Sequence, residues 1–165
     1  MPTVQIRPAL PADVPLILHL VRELAIFERE PDAVKATEAD LHRYGFGPEK
    51  QFDCLLAFIE NEPAGLALYF FNYSTWTGKP GIHLEDLFVL PAFRKQGIGR
   101  ALLSAVARIA VEKGLPRLQW DVLRWNEKAI AFYQAHGAHL KDDWGTMRVE
   151  AESLTALASQ ATPSS

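Results

Sequence analysis

Two stretches of this sequence hold residue types at spacings suited to chemistry. The first is Leu84-Glu85-Asp86-Leu87-Phe88-Val89, followed by Arg94-Lys95-Gln96-Gly97-Ile98-Gly99-Arg100 and an apolar helical run. A turn of this composition between a strand and a helix aims successive backbone N–H groups at one point. Its glycines let a phosphate approach closely at the positive end of the helix. The form is that of a pyrophosphate cradle. Gly97 and Gly99 lack the third glycine of the dinucleotide fingerprint, and there is no Gly-Lys-Ser/Thr of a P-loop. The second stretch begins at Asn126. Asn126, Ile130 and Tyr133 fall at i, i+4 and i+7, so one helix face presents an amide and a phenol together.

Apolar periodicity supplies the elements that must position these groups. Thr3 to Arg7 reads as a short strand. Asp13, with Pro15 in the first turn, starts a helix from about Ala12 to Glu28. Ile17, Val21 and Leu24 form its apolar stripe, and the next position on that stripe is Glu28, so a carboxylate faces inward at the helix end. Thr37, with Asp40 three residues on, caps a second helix that Gly45 and Gly47 stop. Phe52–Ile59 and Gly65–Phe71 read as an antiparallel hairpin, and Ile82–Leu90 as a further strand. A helix from Gly97 to about Lys113, a strand at Arg117–Leu123, a helix from Asn126 to about His136 and a last strand at Thr146–Glu150 complete the pattern. The expectation is one α/β (α+β) domain over 1–150, a mixed sheet with helices on both faces, and a frayed tail over 151–165.

Composition narrows the class. The chain has 165 residues, 48% hydrophobic and 22% charged, enough for one soluble domain with its own core. No apolar run approaches the roughly 18 residues that span a bilayer, and no signal peptide is visible, so no membrane role and a cytoplasmic location are expected. A net charge of −3 gives no footprint for nucleic acid and suits cationic small molecules. The one cysteine, Cys54, excludes an internal disulfide, and no Cys/His spacing suggests a metal.

Arg94 to Gly99, as Arg-x-x-Gly-x-Gly between strand and helix, resembles the acetyl-CoA motif of GNAT acetyltransferases, and Asn126-Glu127-Lys128-Ala129-Ile130-Ala131-Phe132-Tyr133 resembles the next one. More narrowly, the chain is similar to the spermidine/spermine and thialysine N-acetyltransferases. That likeness runs from Ile6-Arg7-Pro8-Ala9 through Arg22-Glu23-Leu24-Ala25, Gly45-Phe46-Gly47, Trp76-Thr77-Gly78-Lys79 and Leu84-Glu85-Asp86 to Arg148, nearly the whole chain. The resemblance implies a mostly antiparallel GNAT sheet and acetyl-CoA as cosubstrate. It implies that backbone groups of Leu87, Phe88 and Val89 hold the pantetheine arm, with Asn126 and Ala129 beside the cofactor, while Arg94, Lys95, Gln96, Gly97, Ile98, Gly99 and Arg100 hold the pyrophosphate. It further implies an acidic pair, Glu85-Asp86, beside the amine, Tyr133 as general acid, and a homodimer. The family's aromatic-plus-glutamate pair at the first helix end stands here as Phe27-Glu28, and Asp121 stands where an apolar residue is usual.

The chemistry of the residues agrees. An alkylammonium, with a pKa of about 10.4, must lose a proton before it attacks a thioester, and a carboxylate takes it directly or through water. A phenol, with a pKa of about 10, stays protonated at neutral pH and can return a proton to the leaving thiolate. In a regular strand, Glu85 and Asp86 point to opposite faces. On that basis Glu85 is assigned to the amine, and Asp86 either to a structural role or to a place behind Glu85 on the substrate side. Glu28, Asp121 and Asp143 are further substrate-side candidates, whereas Cys54 reads as a small buried hydrophobe and the histidines receive no role. The reading is direct acetyl transfer to a primary amine of a small cationic substrate: a polyamine, a diamine or a lysine-like amino acid. Its rivals are a protein N-acetyltransferase of the same fold and a non-catalytic acyl-CoA sensor. Several short-range carboxylates favour a polycation over the first. The joint presence of Glu85, Asn126 and Tyr133 speaks against the second.

Overall fold

Residues 2–160 are described in the structure, a computed structural model. They divide into two units, Met1–Leu123 and Arg124–Ser165. The first unit runs β1 (Val4–Pro8), α1 (Val14–Phe27), α2 (Glu38–Phe46), β2 (Asp53–Ile59), β3 (Glu62–Ser74), β4 (Lys79–Val89), α3 (Ile98–Glu112) and β5 (Leu118–Gln119); the second holds α4 (Glu127–Ala135) and α5 (Ala151–Ala158). The five strands form one sheet in the order β1-β2-β3-β4-β5, antiparallel except for the parallel pair β4–β5. The mixed, mostly antiparallel sheet expected from the sequence is borne out.

Alternation decides which side of the sheet each helix covers. Cys54 and Leu56 of β2, Leu66 and Leu68 of β3 and Phe88 of β4 share one side, where they pack with Val14, Ile17, Leu18, Leu20 and Leu24 of α1 and Leu41 of α2. Leu55, Ala57, Ala67, Tyr69, Ile82 and Leu84 are buried on the other side. There α3 packs across the sheet, with its own Ile98, Leu102, Leu103, Val106 and Ala110 buried. Full burial of a Leu or Ile side chain stabilises by about 1.5–3 kcal/mol, so these two layers hold the site's scaffold together.

Local details depart from the sequence reading. Asp13 stands at the start of α1, but its carboxylate turns back to accept the Leu10 N–H at 2.7 Å and to pair with Arg7 at 2.7 Å. It closes the short turn Pro11–Asp13 and leaves α1 without a side-chain cap. Thr37 and Asp40 do form the reciprocal cap: Asp40 N–H donates to Thr37 Oγ1 at 3.2 Å and Thr37 N–H to Asp40 Oδ2 at 2.9 Å. Gly45 does not stop α2. It lies within it, buried, where a Cβ would come within 2.6 Å of the Phe52 ring. The β2–β3 turn is tight, with Glu60 and Asn61 both left-handed (φ 49° and 68°), the geometry that matches strand twist in a hairpin.

One further expectation is corrected. Thr146–Glu150 forms no strand: among the described residues it has no sheet partner, and Met147 is 95% exposed. Apolar alternation alone cannot make a strand without an edge to pair with. Ala151–Ala158, within the expected frayed tail, is a two-turn helix with Leu154 and Leu157 on its exposed surface. Residues 161–165 of that tail lie outside the described residues.

Candidate active site

The ladder between β3 and β4 carries the feature that assembles the acidic groups. Leu68 pairs with Asp86, yet the next residue, Tyr69, pairs with Leu84, so Glu85 is an extra residue in β4 and the strand bulges there. The bulge breaks strict alternation. Asp86 lies in the row of Cys54 and Leu68, on the α1 side of the sheet. Glu85 turns to the same side: its Oε2 lies 3.6 Å from Nε2 of His83, whose cross-strand partner Phe70 stands two residues from Leu68 on that side of β3, and its charge acts on Asp86 and on Glu28 at the end of α1. The consecutive carboxylates therefore share a side, contrary to the regular-strand argument, and Glu28 joins them as the end of the α1 stripe.

Their environments differ. Burial first, and then the charges of Glu85 and Glu28, push the Asp86 carboxyl up to about 7. Burial and then Glu85 raise Glu28 above the ordinary carboxylate range. The Glu85 side chain is 54% exposed. Asp86, read from the sequence as structural or as standing behind Glu85, is thus the carboxyl here that burial raises furthest. His83, to which the sequence reading gave no role, stacks on its cross-strand partner Phe70 with ring centroids 4.9 Å apart and stands next to Glu85. Only the bulge register shows that His83 faces the acidic pair.

The same strand leads to the glycine-containing turn. Lys95 and Gly97 both adopt left-handed backbone (φ 64° and 78°), and Gly97 opens α3 with open space where a Cβ would stand. Ala101 is the first residue whose N–H reaches back to Gly97 O, and no side chain caps the helix. The amides of Ile98, Gly99 and Arg100 thus point out of the helix start, as an anion requires. Lys95, Gln96 and Arg100 are exposed beside them. Arg94 turns back along β4: its Nε donates to Val89 O at 3.0 Å, and its guanidinium lies 4.6 Å from the Phe27 ring centroid and 5.5 Å from that of Phe88. β5 pairs with β4 only at Ile82 and His83, so among the described residues the edge of β4 from Leu84 to Val89 has no ladder partner on that side. An extended acyl arm needs such an edge, and the amide-lined turn fits a pyrophosphate.

In the second unit, Asn126 caps α4, its Oδ1 accepting the Ala129 N–H at 3.2 Å. Asn126, Ala129, Ile130 and Tyr133 are half-buried while Glu127, Lys128, Ala131 and Gln134 are exposed, so the amide and the phenol occupy one sheltered face. Asp143 is exposed and 3.9 Å from Lys141, and Asp121 is exposed on the first unit; neither is among the groups that act on Asp86 or Glu28. Cys54 is buried, and burial, followed by the charges of Asp86, Asp13 and Asp53, pushes its thiol up to about 12.

Residues 18–138 match the Acetyltransferase (GNAT) family, and the chain belongs to it. It is 40% identical over 169 residues to a thialysine N-epsilon-acetyltransferase of Sus scrofa, covering 96% of this chain and 99% of that one. An L-ornithine N5-acetyltransferase of Arabidopsis thaliana is 30% identical over 199 residues, covering 93% of this chain and 87% of the relative. Among solved structures, a Vibrio cholerae integron cassette protein superposes with a TM-score of 0.78 at 27% identity, covering 94% of this chain and 97% of that one. The chain is therefore an N-acetyltransferase, as its motifs led one to expect.

Proposed function

We propose that the protein transfers the acetyl group of acetyl-CoA directly to a primary amine of a small cationic molecule: a polyamine, a diamine or a lysine-like amino acid. The observation that carries this reading is the β4 bulge, which gathers Glu85 and Asp86 with Glu28 on one side of the sheet. Three neighbouring carboxylates repel one another. A substrate with two separated ammonium groups relieves that repulsion at both ends, which a neutral amine cannot do. The relatives' names, thialysine and L-ornithine acetyltransferase, point to amines of this shape.

Acetyl-CoA supplies an acetyl group activated as a thioester. The chain's residues supply the rest. Outward amides of Ile98, Gly99 and Arg100, with Lys95 and Arg100 as counter-charges, bind the pyrophosphate, and the edge of β4 at Leu87 to Val89, where Arg94 takes only the Val89 carbonyl, orients the pantetheine arm. Asn126 and Ala129 lie on the α4 face assigned to the cofactor. Asp86 accepts the ammonium proton; an incoming cation favours its ionised form, so the base is generated as the substrate binds. Glu28 and Glu85 hold the remaining positive charge. Tyr133 donates a proton to the departing thiolate. The exposed apolar residues of the second unit, Trp144, Met147, Leu154 and Leu157, support a homodimer in which a second copy covers them.

The test is CoA release from acetyl-CoA with putrescine, spermidine, L-ornithine, L-lysine, thialysine and an unmodified N-terminal peptide as acceptors. Turnover with the diamines or diamino acids and little with the peptide is expected. Turnover with the peptide alone, or with no acceptor, would overturn the reading.

A further inference from the structure

Arg94 belongs by sequence to the phosphate-binding run, but its side chain is committed elsewhere. Its Nε donates to Val89 O, the last residue of β4, at 3.0 Å. Its guanidinium then lies over two rings, 4.6 Å from the centroid of Phe27 and 5.5 Å from that of Phe88, and these rings are 6.3 Å apart. Phe88 is buried in the core and fixed by it. Phe27 is the last residue of α1, immediately before Glu28, and is 38% exposed, so apolar burial holds it less firmly. One planar cation, the first residue of the cofactor turn, thus joins the end of the cofactor strand to the helix end that presents Glu28.

We infer that Arg94 is a positioning residue that couples the cofactor turn to the amine site. This inference rests on the function proposed above. A cation over an aromatic face contributes about 0.5–1 kcal/mol when exposed and about 2 or more when shielded, and the hydrogen bond fixes the direction of the guanidinium plane. Ordering of the turn by a bound pyrophosphate therefore holds Arg94 in place, Arg94 holds Phe27, and Phe27 sets where Glu28 stands relative to Asp86. By linkage, cofactor and amine must each raise the affinity of the other through this contact.

The experiment is calorimetric titration of amine into protein alone and into protein saturated with CoA, with no turnover involved. The amine is whichever of putrescine, spermidine, L-ornithine and thialysine the enzyme acetylates fastest. In the wild type, CoA should raise amine affinity several-fold. Arg94→Gln should bring that ratio close to one. Arg94→Lys, which keeps the charge but loses the planar fork, should not restore it. Phe27→Leu should reduce the ratio as well, and the double variant Arg94→Gln/Phe27→Leu should be no worse than the worse single variant, because both act through one contact. A full coupling ratio in folded Arg94→Gln, with only CoA affinity reduced, would overturn the inference and return Arg94 to the phosphate; the proposed function would stand. If the wild type acetylates none of these amines and not L-lysine either, the proposed function itself fails, and this inference with it.

Discussion

Asp86 stands directly across from Leu68 in the β3–β4 ladder, on the apolar side of the sheet that α1 covers. A carboxylate there is strained electrostatically, and its folded-state pKa of about 7 lies above the ordinary carboxylate range. Between about pH 4 and pH 7 the folded protein therefore binds more protons at Asp86 than the unfolded chain. Stability must fall as pH rises through that window, and above it the full cost of the buried charge is present. Asp86→Asn should raise stability at pH 8 by at least about 2 kcal/mol, several degrees in Tm, and by clearly less at pH 5, where only part of the cost of ionisation is present. The same variant should lose affinity for the cationic amine. Thermal unfolding at the two pH values decides the point; equal gains at both would mean that Asp86 is not the titrating group.

Gly97 offers a test of the cradle with a built-in control. Gly97→Val forces a β-branched residue into left-handed backbone and fills space open to a phosphate. It should raise the Kd for acetyl-CoA about tenfold or more, about 1.4 kcal/mol, while the amine KM at saturating acetyl-CoA moves less. Gly114, at the other end of α3, has similar backbone (φ 67°) and equally open surroundings. Gly114→Val should cost comparable stability and leave acetyl-CoA affinity intact. If both variants bind acetyl-CoA equally well, the cradle assignment is wrong.

Tyr133→Phe removes the hydroxyl proposed to protonate the leaving thiolate and keeps the ring that packs against Phe132, 5.3 Å away between centroids. A positioned acid contributes about 10²- to 10⁴-fold, so turnover should fall by roughly two orders of magnitude with a modest change in KM. Rates measured where chemistry is limiting settle this; near-normal turnover in a folded variant refutes the assigned role.

Cys54 is placed to be inert. Its thiol, pushed up to about 12, holds a negligible thiolate fraction at neutral pH. Cys54→Ala should keep activity within about twofold, and intact-mass measurement after adding acetyl-CoA alone should find no acetylated protein. An acetyl group on Cys54 would contradict direct transfer.

What the sequence disclosed and what it hid follow a physical division. The α1 stripe ending on Glu28, the Thr37–Asp40 cap, Asn126 at the start of α4 and Gly97 at the start of α3 are local patterns, settled by residues a few positions apart, and the structure contains each of them. The bulge at Glu85 is not local: its register depends on how β3 and β4 meet. Alternation thus put Glu85 and Asp86 on opposite faces and gave no sign of His83 beside them. Gly45 misled for the same reason, since its role is set by the ring of Phe52 and not by helix punctuation. Arg94 fitted a motif, yet its side chain answers to Phe27, a residue far away in the chain.

The strand order β1-β2-β3-β4 follows the order of the chain, and the tight turn at Glu60 and Asn61 joins two of those strands. Pairings between neighbours in sequence close short loops at small entropic cost, so within the sheet the β2–β3–β4 meander costs least to close. The bulge with its two carboxylates is built into that meander, whereas Glu28 is brought to it by α1, which packs on the same side. The third carboxylate, and much of the burial that raises Asp86, thus come from a different layer of the fold. Loosening α1 from the sheet would relax the site's demand for a cation without altering the strands that carry Glu85 and Asp86.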